Sequence, residues 1–156
     1  MEIHLLAIGT RMPKWIDDGF AEYSRRPGRD CKLVLKEIPS PRKSKSEEAS
    51  RIKRLEGDLL MAAVPDGAYR VALDEKGKMH STKSVAEKLS GWFDSHRRVA
   101  IIIGGADGLS DAALDSCNER WSLSRMTFPH SLVRVILAEQ IYRAYSLLNN
   151  HPYHRE

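Results

Sequence analysis

The chain has 156 residues and a formal net charge of +4; 42% of its residues are hydrophobic and 29% are charged. This length is typical of one domain with a substantial core, so we expect residues 1–156 to form a single domain. The composition indicates a globular protein and excludes a disordered one. No apolar run approaches the roughly 18 residues of a membrane span, and no secretory signal pattern is recognisable. We therefore expect a cytoplasmic protein that does not cross a membrane.

Cysteines and basic residues say less about function. Cys31 and Cys117 are too few for a disulfide framework and are not spaced as a metal pair, so we expect two reduced thiols. The basic clusters are Arg25, Arg26 and Arg29; Arg42, Lys43 and Lys45; and Arg51, Lys53 and Arg54. Each cluster alone is typical of a solvated surface. Three clusters within thirty residues make an RNA-binding surface an equal alternative.

Strand and helix signals alternate along the chain, which predicts a layered α/β domain with a mainly parallel sheet. Strands are expected at residues 3–9, 32–38, 69–74 and 99–103, with a last strand and loop over residues 121–128. Residues 75–77 are predicted as the turn after the third strand. The nearly continuous apolar run at 99–103 is typical of a central strand that is covered on both faces.

Periodic apolar residues predict helices between the strands. The helix that follows Pro13 is expected to place on one face Trp15, Ile16, Phe20 and Tyr23. A capping box from Ser44 to Glu47 opens the next helix, which is expected to turn inward Ile52, Leu55, Leu59 and Ala62. A helix over 82–94 is expected to bring together Val85, Leu89, Trp92 and Phe93. Residues 111–120 are predicted as a short helix.

The last predicted helix, residues 132–148, is apolar around most of its circumference. A surface helix needs only one apolar face, so this helix either lies deep in the chain or packs on a second subunit. We expect a dimer in which at least one of Leu137, Ile141 and Leu148 faces the partner, with Ile141 as the first candidate.

Polar residues of the same helix carry three further predictions. Glu139 and Arg143 are spaced as an i,i+4 ion pair. Ser131 is expected to cap the N-terminus of the helix. Arg134 lies near that terminus, where the helix dipole disfavours a cation, so we expect it to have an acidic side chain or a ligand carboxylate as its partner.

The most informative segment joins the strand at 99–103 to a glycine-rich loop. Glycines at 104, 105 and 108 follow a G-G-x-x-G spacing, and Asp107 lies inside the loop, so an ordinary dinucleotide-binding fingerprint is disfavoured. Two loops that leave the carboxyl ends of strands can cradle a small polar ligand. The alternative is that Gly104 and Gly105 only make a tight turn.

The final residues, 151–156, concentrate two histidines, a tyrosine and an arginine where chain ends are usually frayed. Tyr153 can stack on a base, Arg155 can bind phosphate, and His154 or Tyr153 can handle a proton. No cysteine or acidic cluster completes a metal site, so we expect no metal. A disordered tail is the alternative.

Four segments resemble the RlmH family of the SPOUT superfamily of methyltransferases, and the match runs nearly from end to end. They are Leu5-Leu-Ala-Ile-Gly-Thr-Arg-Met-Pro, Ile102-Ile-Gly-Gly-Ala-Asp-Gly-Leu-Ser, Pro129-His-Ser-Leu-Val-Arg-Val-Ile-Leu-Ala-Glu-Gln-Ile-Tyr-Arg-Ala and Asn150-His-Pro-Tyr-His-Arg-Glu156. The resemblance implies S-adenosyl-L-methionine-dependent methylation of N3 of pseudouridine 1915 in 23S ribosomal RNA. We expect the substrate to be this RNA within the assembled ribosome, and the free large subunit stays open as the alternative. It also implies an α/β fold with a trefoil knot, a mainly parallel sheet flanked by helices, and a homodimer.

The resemblance further implies the site residues. The cofactor pocket is expected to contain Leu73, Gly104, Leu123, Ser124, Arg125, Met126, Thr127 and Phe128. The catalytic residues are expected in the tail, at Tyr153, His154 and Arg155, with His130 as a less favoured proton acceptor. Two alternatives stay open at this point. One is a SPOUT methyltransferase with another target, a ribose 2′-hydroxyl or a tRNA base, and the other is a non-enzymatic ribosome-binding factor.

Overall fold

The computed structural model describes residues 1–41 and 48–154. In this part of the chain the strands are β1 (Glu2–Ile8), β2 (Lys32–Ile38), β3 (Tyr69–Met79), β4 (Arg98–Ile103) and β5 (Glu119–Ser122). The helices are α1 (Lys14–Ser24), α2 (Ala49–Ala63), α3 (Thr82–Ser95), α4 (Asp111–Asp115) and α5 (His130–Leu148), followed by a 3-10 helix, Pro152–His154. The predicted capping box from Ser44 to Glu47, and the basic residues Arg42, Lys43 and Lys45, lie outside the described residues.

All five strands belong to one parallel sheet with the order β2-β1-β4-β3-β5. The predicted α/β class and the parallel sheet are therefore confirmed. β4 is central, and all of its residues except the first are buried, as its apolar run predicted. Because the strands run in the same direction, their carboxyl ends meet at one edge of the sheet.

Alternating side chains of the strands build an apolar cluster on each face of the sheet. Ile3 and Leu5 of β1 point to the face covered by α3 and α5, with α1 packed beside α5. Leu6 and Ile8 point to the opposite face, which α2 and α4 cover. This alternation, with both faces of the sheet covered, is the pattern that a buried parallel sheet requires.

The faces that α1 and α2 present to the core depart from the prediction to different degrees. In α1, Ile16 is buried and Phe20 and Tyr23 pack against the core as predicted, but Trp15 is 61% exposed. In α2 only Ile52 of the four predicted residues is buried, whereas the exposed ones are Leu55, Leu59 and Ala62. The buried side of α2 instead carries Glu56 and Gly57. Glu56 accepts a hydrogen bond from Ser40, which allows its burial. Gly57 has no side chain and so lets α2 approach α4 closely. The expected face of α3 is confirmed, with Val85, Leu89 and Trp92 buried and Phe93 half-buried.

Two boundaries near the sheet edge were also predicted wrongly. The helix expected over 111–120 ends at Asp115, because Glu119 and Arg120 pair with β3 as part of β5. The turn expected at 75–77 is a bulge inside β3, where Leu73 and Lys78 both pair with Trp121. Strand pairing thus overrides the local turn and helix signals at both places.

The last helix, α5, lies between α1 and α3 and is tied to the sheet by Arg134. This side chain is fully buried; one guanidinium nitrogen lies 2.6 Å from Glu37 and the other donates hydrogen bonds to the carbonyl oxygens of Ile8 and Gly9. The prediction that Arg134 needs an acidic partner is therefore confirmed. The N-cap position is Pro129, not the predicted Ser131, and no described side chain makes an N-cap hydrogen bond there.

Leu137 and Ile141 are each 2% exposed and pack inside the chain, which leaves Leu148, 39% exposed, as the remaining candidate for a contact with a second subunit. The first candidate for that contact, Ile141, was therefore chosen wrongly, because α5 is covered by α1 and α3 along most of its length. The predicted pair of Glu139 and Arg143 is confirmed at 2.6 Å.

Candidate active site

A cavity of about 420 Å³ lies at the edge of the sheet where β3, β4 and β5 end. All eight residues expected to bind the cofactor line it: Leu73, Gly104, Leu123, Ser124, Arg125, Met126, Thr127 and Phe128. They come from three separate segments of the chain. The structure brings them together because the carboxyl ends of neighbouring parallel strands share one edge.

The glycine-rich loop after β4 forms one wall of this cavity. Gly105 and Gly108 pair as a narrow bridge, in which the Gly108 N–H donates to the Gly105 carbonyl oxygen at 3.0 Å. A Cβ atom on Gly104 would lie 2.7 Å from the carbonyl carbon of Gly108, closer than side chains approach backbone. Gly104 is therefore required by the tight loop, and the same loop exposes its backbone to the cavity.

The bulge in β3 supplies a second wall that sequence reasoning missed. Asp74, Glu75 and Lys76 line the cavity, although they were predicted only as part of a strand end and its turn. Gly77 makes the bulge possible, since a Cβ there would lie 2.5 Å from the backbone of Trp121. Asp74, Glu75 and Lys76 lie at the predicted carboxyl end of a strand, at the sheet edge where the glycine-rich loop also begins. That position was the sequence signal that could have identified them.

The third wall is the loop after β5, which is folded by its own hydrogen bonds. The Ser122 hydroxyl donates to the carbonyl oxygen of Ser124 at 3.1 Å, and the Ser124 hydroxyl accepts from the N–H of Met126 at 2.9 Å. Leu123 and Phe128 are half-buried, whereas the Met126 side chain is 71% exposed. These hydrogen bonds fix the backbone of the loop, and the apolar side chains of the loop line the cavity.

The start of α5 closes the cavity on the side of β1. His130 lines the cavity, and its Nε2 lies 3.6 Å from where a Cβ on Gly9 would be. Gly9 has a φ of +104°, and Arg11 in the same loop has a φ of 59°, a conformation that is uncommon for a residue other than glycine. The loop after β1 therefore approaches His130 through a tightly constrained backbone.

The floor beside the cavity is aromatic. Trp121 stacks on Trp92 with ring centroids 5.4 Å apart and packs against His80 at 4.9 Å. Burial, followed by the nearby charges of Lys88 and Lys78, lowers the pKa of His80. A smaller cavity of about 290 Å³ between α3 and α5 shares the walls at Trp121 and residues 122–124. These rings hold β5 against α3 and so fix the loop that follows it.

The tail residue Tyr153 packs on α5 instead of on the cavity. Its hydroxyl donates to Glu139 at 3.1 Å, and its ring lies 4.5 Å from the ring of Tyr142. The guanidinium groups of Arg143 and Arg26 lie 4.9 and 5.6 Å from its ring centroid. Burial and the hydrogen bond to Glu139 raise the pKa of Tyr153 to about 12.

Within one chain, the described tail residues do not reach the cavity. Among the described residues, Tyr153 and His154 do not line the cavity, and Arg155 lies outside the described part. Glu139, which holds Tyr153, is nine residues beyond His130, about 13 Å along the helix axis. His154 instead lines a groove of about 850 Å³ between α3 and α5, together with Lys83, Arg143, Leu147 and Leu148.

The chemistry of the cavity suits a charged organic molecule with a planar ring. Its volume lies in the usual range for small-ligand sites. Leu73, Leu123 and Phe128 offer apolar surface to a ring, and the lining carries charges of both signs, Asp74 and Glu75 beside Lys76 and Arg125. Among residues 1–41 and 48–154, no group of three or more histidine, cysteine or acidic side chains is placed to hold a metal ion.

No helix in the described ranges combines the length and the apolar character needed to cross a membrane. The described residues also leave both cysteines as free thiols, and burial raises the pKa of Cys31 to about 12. A thiol with such a pKa is protonated at neutral pH and is a poor nucleophile.

Comparison with solved structures supports the fold. The chain is similar to a probable methyltransferase from Bordetella pertussis, with a TM-score of 0.59 and 15% identity over 92% of this chain and 93% of that one. It is also similar to a probable methylase family protein from Haemophilus influenzae, with a TM-score of 0.55 and 12% identity over 99% of this chain and 70% of that one. At these identities the likeness concerns the fold alone.

Comparison of sequences also identifies the family. Residues 1–154 match the model of a family described as predicted SPOUT methyltransferase. The chain is 50% identical to ribosomal RNA large subunit methyltransferase H of Methylococcus capsulatus, over 99% of this chain and all of that one. It is 49% identical to the protein of that name from Thioalkalivibrio sulfidiphilus over the full length of both. The chain therefore belongs to the SPOUT methyltransferases and, among them, to the ribosomal RNA large subunit methyltransferase H family.

Proposed function

We infer that this chain is a large-subunit ribosomal RNA methyltransferase of the SPOUT class, and we propose that it methylates N3 of a pseudouridine in 23S ribosomal RNA. The observation that carries the proposal is the convergence of three loops on one cavity in a chain of this family. We propose that residues 1–156 act as a single domain. The trefoil knot and a cytoplasmic location stay predictions.

We propose that the cavity binds S-adenosyl-L-methionine. Leu73, Leu123 and Phe128 would pack against the adenine, and the close backbone of Gly104 would accommodate the sugar or the amino acid part. Asp74 and Glu75 would favour the positive charges of the bound molecule, and Lys76 and Arg125 would favour its carboxylate. The cofactor supplies a methyl group on a positively charged sulfur, so the protein has to align the acceptor and needs no nucleophile of its own.

The acceptor nitrogen, N3 of pseudouridine, is an imide nitrogen that carries a proton at neutral pH, and that proton has to leave during methylation. Two histidines are candidate acceptors for it: His130 at the cavity and His154 in the tail. Tyr153 is disfavoured, because its raised pKa keeps it neutral and its hydroxyl already donates to Glu139.

We propose that a homodimer completes the active site. In one chain the tail and the cavity lie apart, so a tail from a second chain is the simplest way to bring His154 and Arg155 to the cofactor. The groove between α3 and α5 supports this arrangement, since it is lined by the half-buried Leu147 and the exposed Leu148 together with His154.

The alternatives make different predictions about binding and product. A non-enzymatic ribosome-binding factor would give no heat when titrated with S-adenosyl-L-methionine, whereas we expect saturable binding in the micromolar range, about −8 kcal/mol. A SPOUT enzyme with another target would bind the cofactor equally well, but would place the methyl group on a ribose or on a tRNA base. Calorimetry therefore tests the cavity, and mapping of the methylated nucleotide tests the target.

A further inference from the structure

Arg26, just beyond the end of α1, is surrounded by three tyrosine rings from three parts of the chain. Its guanidinium carbon lies 5.4 Å from the ring centroid of Tyr23, 5.5 Å from that of Tyr142 and 5.6 Å from that of Tyr153. Glu22 holds the same guanidinium group from α1, and its hydrogen bond to Nε is 3.1 Å long. Arg26 is thus fixed by an ion pair and contacts the rings as a positioned cation.

Tyr153 is held from two further directions. Glu139 accepts a hydrogen bond from its hydroxyl at 3.1 Å, and Arg143 lies 4.9 Å from its ring centroid. Glu139 and Arg143 are themselves an ion pair on α5, 2.6 Å apart. The tail backbone is bound as well, since the N–H of His151 donates to the carbonyl oxygen of Ser146 at 2.8 Å. These contacts describe a docked segment and not a frayed chain end.

The docked position conflicts with the roles that the sequence suggested for Tyr153. A ring that already contacts two guanidinium groups and the ring of Tyr142 has little surface left for stacking on an RNA base. A hydroxyl that donates to a carboxylate is also a poor acceptor for the proton of another group.

We propose that Tyr153 is a positioning residue that anchors the tail to α1 and α5 through Arg26 and Glu139, so that the neighbouring His154 is presented in a fixed place. This inference rests on the proposed function, in which the tail faces the reacting base. Anchoring matters because a loss of about 1 Å in the placement of reacting groups can slow a reaction by about a hundredfold.

Two substitutions at the anchor separate positioning from chemistry. Tyr153→Phe keeps the ring among the two arginines and removes only the hydroxyl, whereas Tyr153→Ala removes the anchor. We expect Tyr153→Phe to retain methylation of ribosomes within about threefold and Tyr153→Ala to lose at least tenfold in kcat, about 1.4 kcal/mol. Tyr153→Phe also gives up the hydrogen bond to Glu139, so Glu139→Ala is measured beside it. Equal loss in both tyrosine variants with normal methylation by Glu139→Ala would overturn the proposal, because the hydroxyl would then act directly and not through the anchor.

Arg26→Ala tests the anchor from the other side, with Arg25→Ala as the matched control. Arg25 pairs with the same Glu22 carboxylate at 2.5 Å and belongs to the same basic cluster. We expect Arg26→Ala to lower kcat about tenfold at saturating ribosome concentration, with unchanged affinity for S-adenosyl-L-methionine in calorimetry. If Arg26→Ala and Arg25→Ala both raised the KM for ribosomes and kcat stayed unchanged, the two arginines would only contact RNA phosphate. That result would reject the anchor.

A measurement that does not depend on catalytic turnover tests the anchor independently of the proposed function. The full chain carrying fluorotyrosine gives a fluorine resonance for Tyr153, which Tyr153→Phe assigns. We expect Arg26→Ala and Glu139→Gln to shift and sharpen this resonance toward that of a free tyrosine, and Arg25→Ala to leave it in place. An unshifted resonance in Arg26→Ala would overturn the anchor. Absence of rRNA methylation by the unmodified protein would overturn the proposed function instead, while the fluorine result would still decide the anchor.

Discussion

Single glycines at the cavity are required by close contacts inside the protein, with backbone at Gly104 and with a side chain at Gly105. A Cβ on Gly104 meets the backbone of Gly108, and a Cβ on Gly105 would lie 2.9 Å from a carboxylate oxygen of the buried Glu56. The glycine spacing predicted a loop with close backbone approach. It did not identify the contacts, because Glu56 comes from α2, far away in sequence.

Gly104→Ala should therefore damage the loop itself. The added methyl group forces the segment from 104 to 108 apart, and we expect the affinity for S-adenosyl-L-methionine to fall at least tenfold in calorimetry. Gly91→Ala is the control, because Gly91 lies in α3 with open space around its Cβ position. That variant should bind normally and be more stable by up to about 1 kcal/mol. Normal cofactor binding by Gly104→Ala would remove this loop from the binding site.

Other residues show where sequence reasoning succeeds or fails at this scale. Arg134 was predicted to need an acidic partner because a cation near a helix N-terminus in an apolar segment requires compensation, and Glu37 provides it. Trp15 was expected on the inward face of α1 because of the spacing of the apolar residues, yet it is exposed, whereas Ile16 beside it is buried. Trp15 lies at the edge of that face and near the start of the helix, where the periodic pattern alone does not decide burial.

Elements beside the cavity are joined by one carboxylate, Glu119 of β5. Its oxygens lie 2.6 Å from Lys88 of α3 and 2.8 Å from both Tyr69 of β3 and the indole nitrogen of Trp121. Burial acts to raise the pKa of Glu119, but these hydrogen bonds outweigh it and lower the pKa below its ordinary value of 4.5. Glu119 therefore favours folding as the anion.

The sign of this effect predicts a pH dependence. A lowered pKa gives a contribution that is fully present above about pH 4.5 and is lost as the pH falls through the pKa of the folded state. We expect Glu119→Gln to reduce the free energy of unfolding by about 2 kcal/mol at pH 7, and by progressively less as the pH falls through the pKa of Glu119 in the folded state. Urea unfolding at several pH values measures this difference.

Asp115→Asn is the matched control for this series. Asp115 forms a 2.6 Å ion pair with Arg120 near the same strand, but its side chain is exposed to solvent. Exposed pairs of this kind contribute little, so its stability should stay within about 0.5 kcal/mol at every pH. A constant difference between Glu119→Gln and the unmodified protein across the pH range would contradict the account of Glu119.

The same elements show the limits of local signals. The strands and α3 were predictable because their apolar patterns match their burial in the sheet and the core. The bulge in β3 and the start of β5 were not, because both depend on pairing between segments about fifty residues apart. The inward face of α2 was missed since a buried glutamate, Glu56, replaces an apolar residue in the contact with the core.

At the scale of the whole molecule, the convergence of the cofactor loops was predictable, because parallel strands end at one edge. The place of the tail was not, because its contacts with Arg26 and Glu139 are tertiary and leave no periodic pattern. The structure thus separates two parts of the expected active site, and the proposed dimer is what would reunite them.

Leu148→Asp tests the proposed dimer. A charge placed on the exposed apolar side of the groove between α3 and α5 would be buried in a dimer that uses this surface, at a cost of several kcal/mol. We expect light scattering to report half the native mass with the melting temperature of the fold largely kept. Ile141→Asp should instead unfold the chain, because Ile141 is buried inside one subunit. An unchanged dimer in Leu148→Asp would place the interface elsewhere.

The most direct test of the central proposal is the methylation of ribosomes from a strain that lacks this modification. Purified protein and labelled S-adenosyl-L-methionine are added, and the large-subunit RNA is digested and analysed by mass spectrometry. We predict one labelled methyl group, on N3 of pseudouridine 1915 in 23S ribosomal RNA, and its loss with Gly104→Ala. A label on a ribose hydroxyl, on tRNA, or on no RNA at all would contradict the proposal.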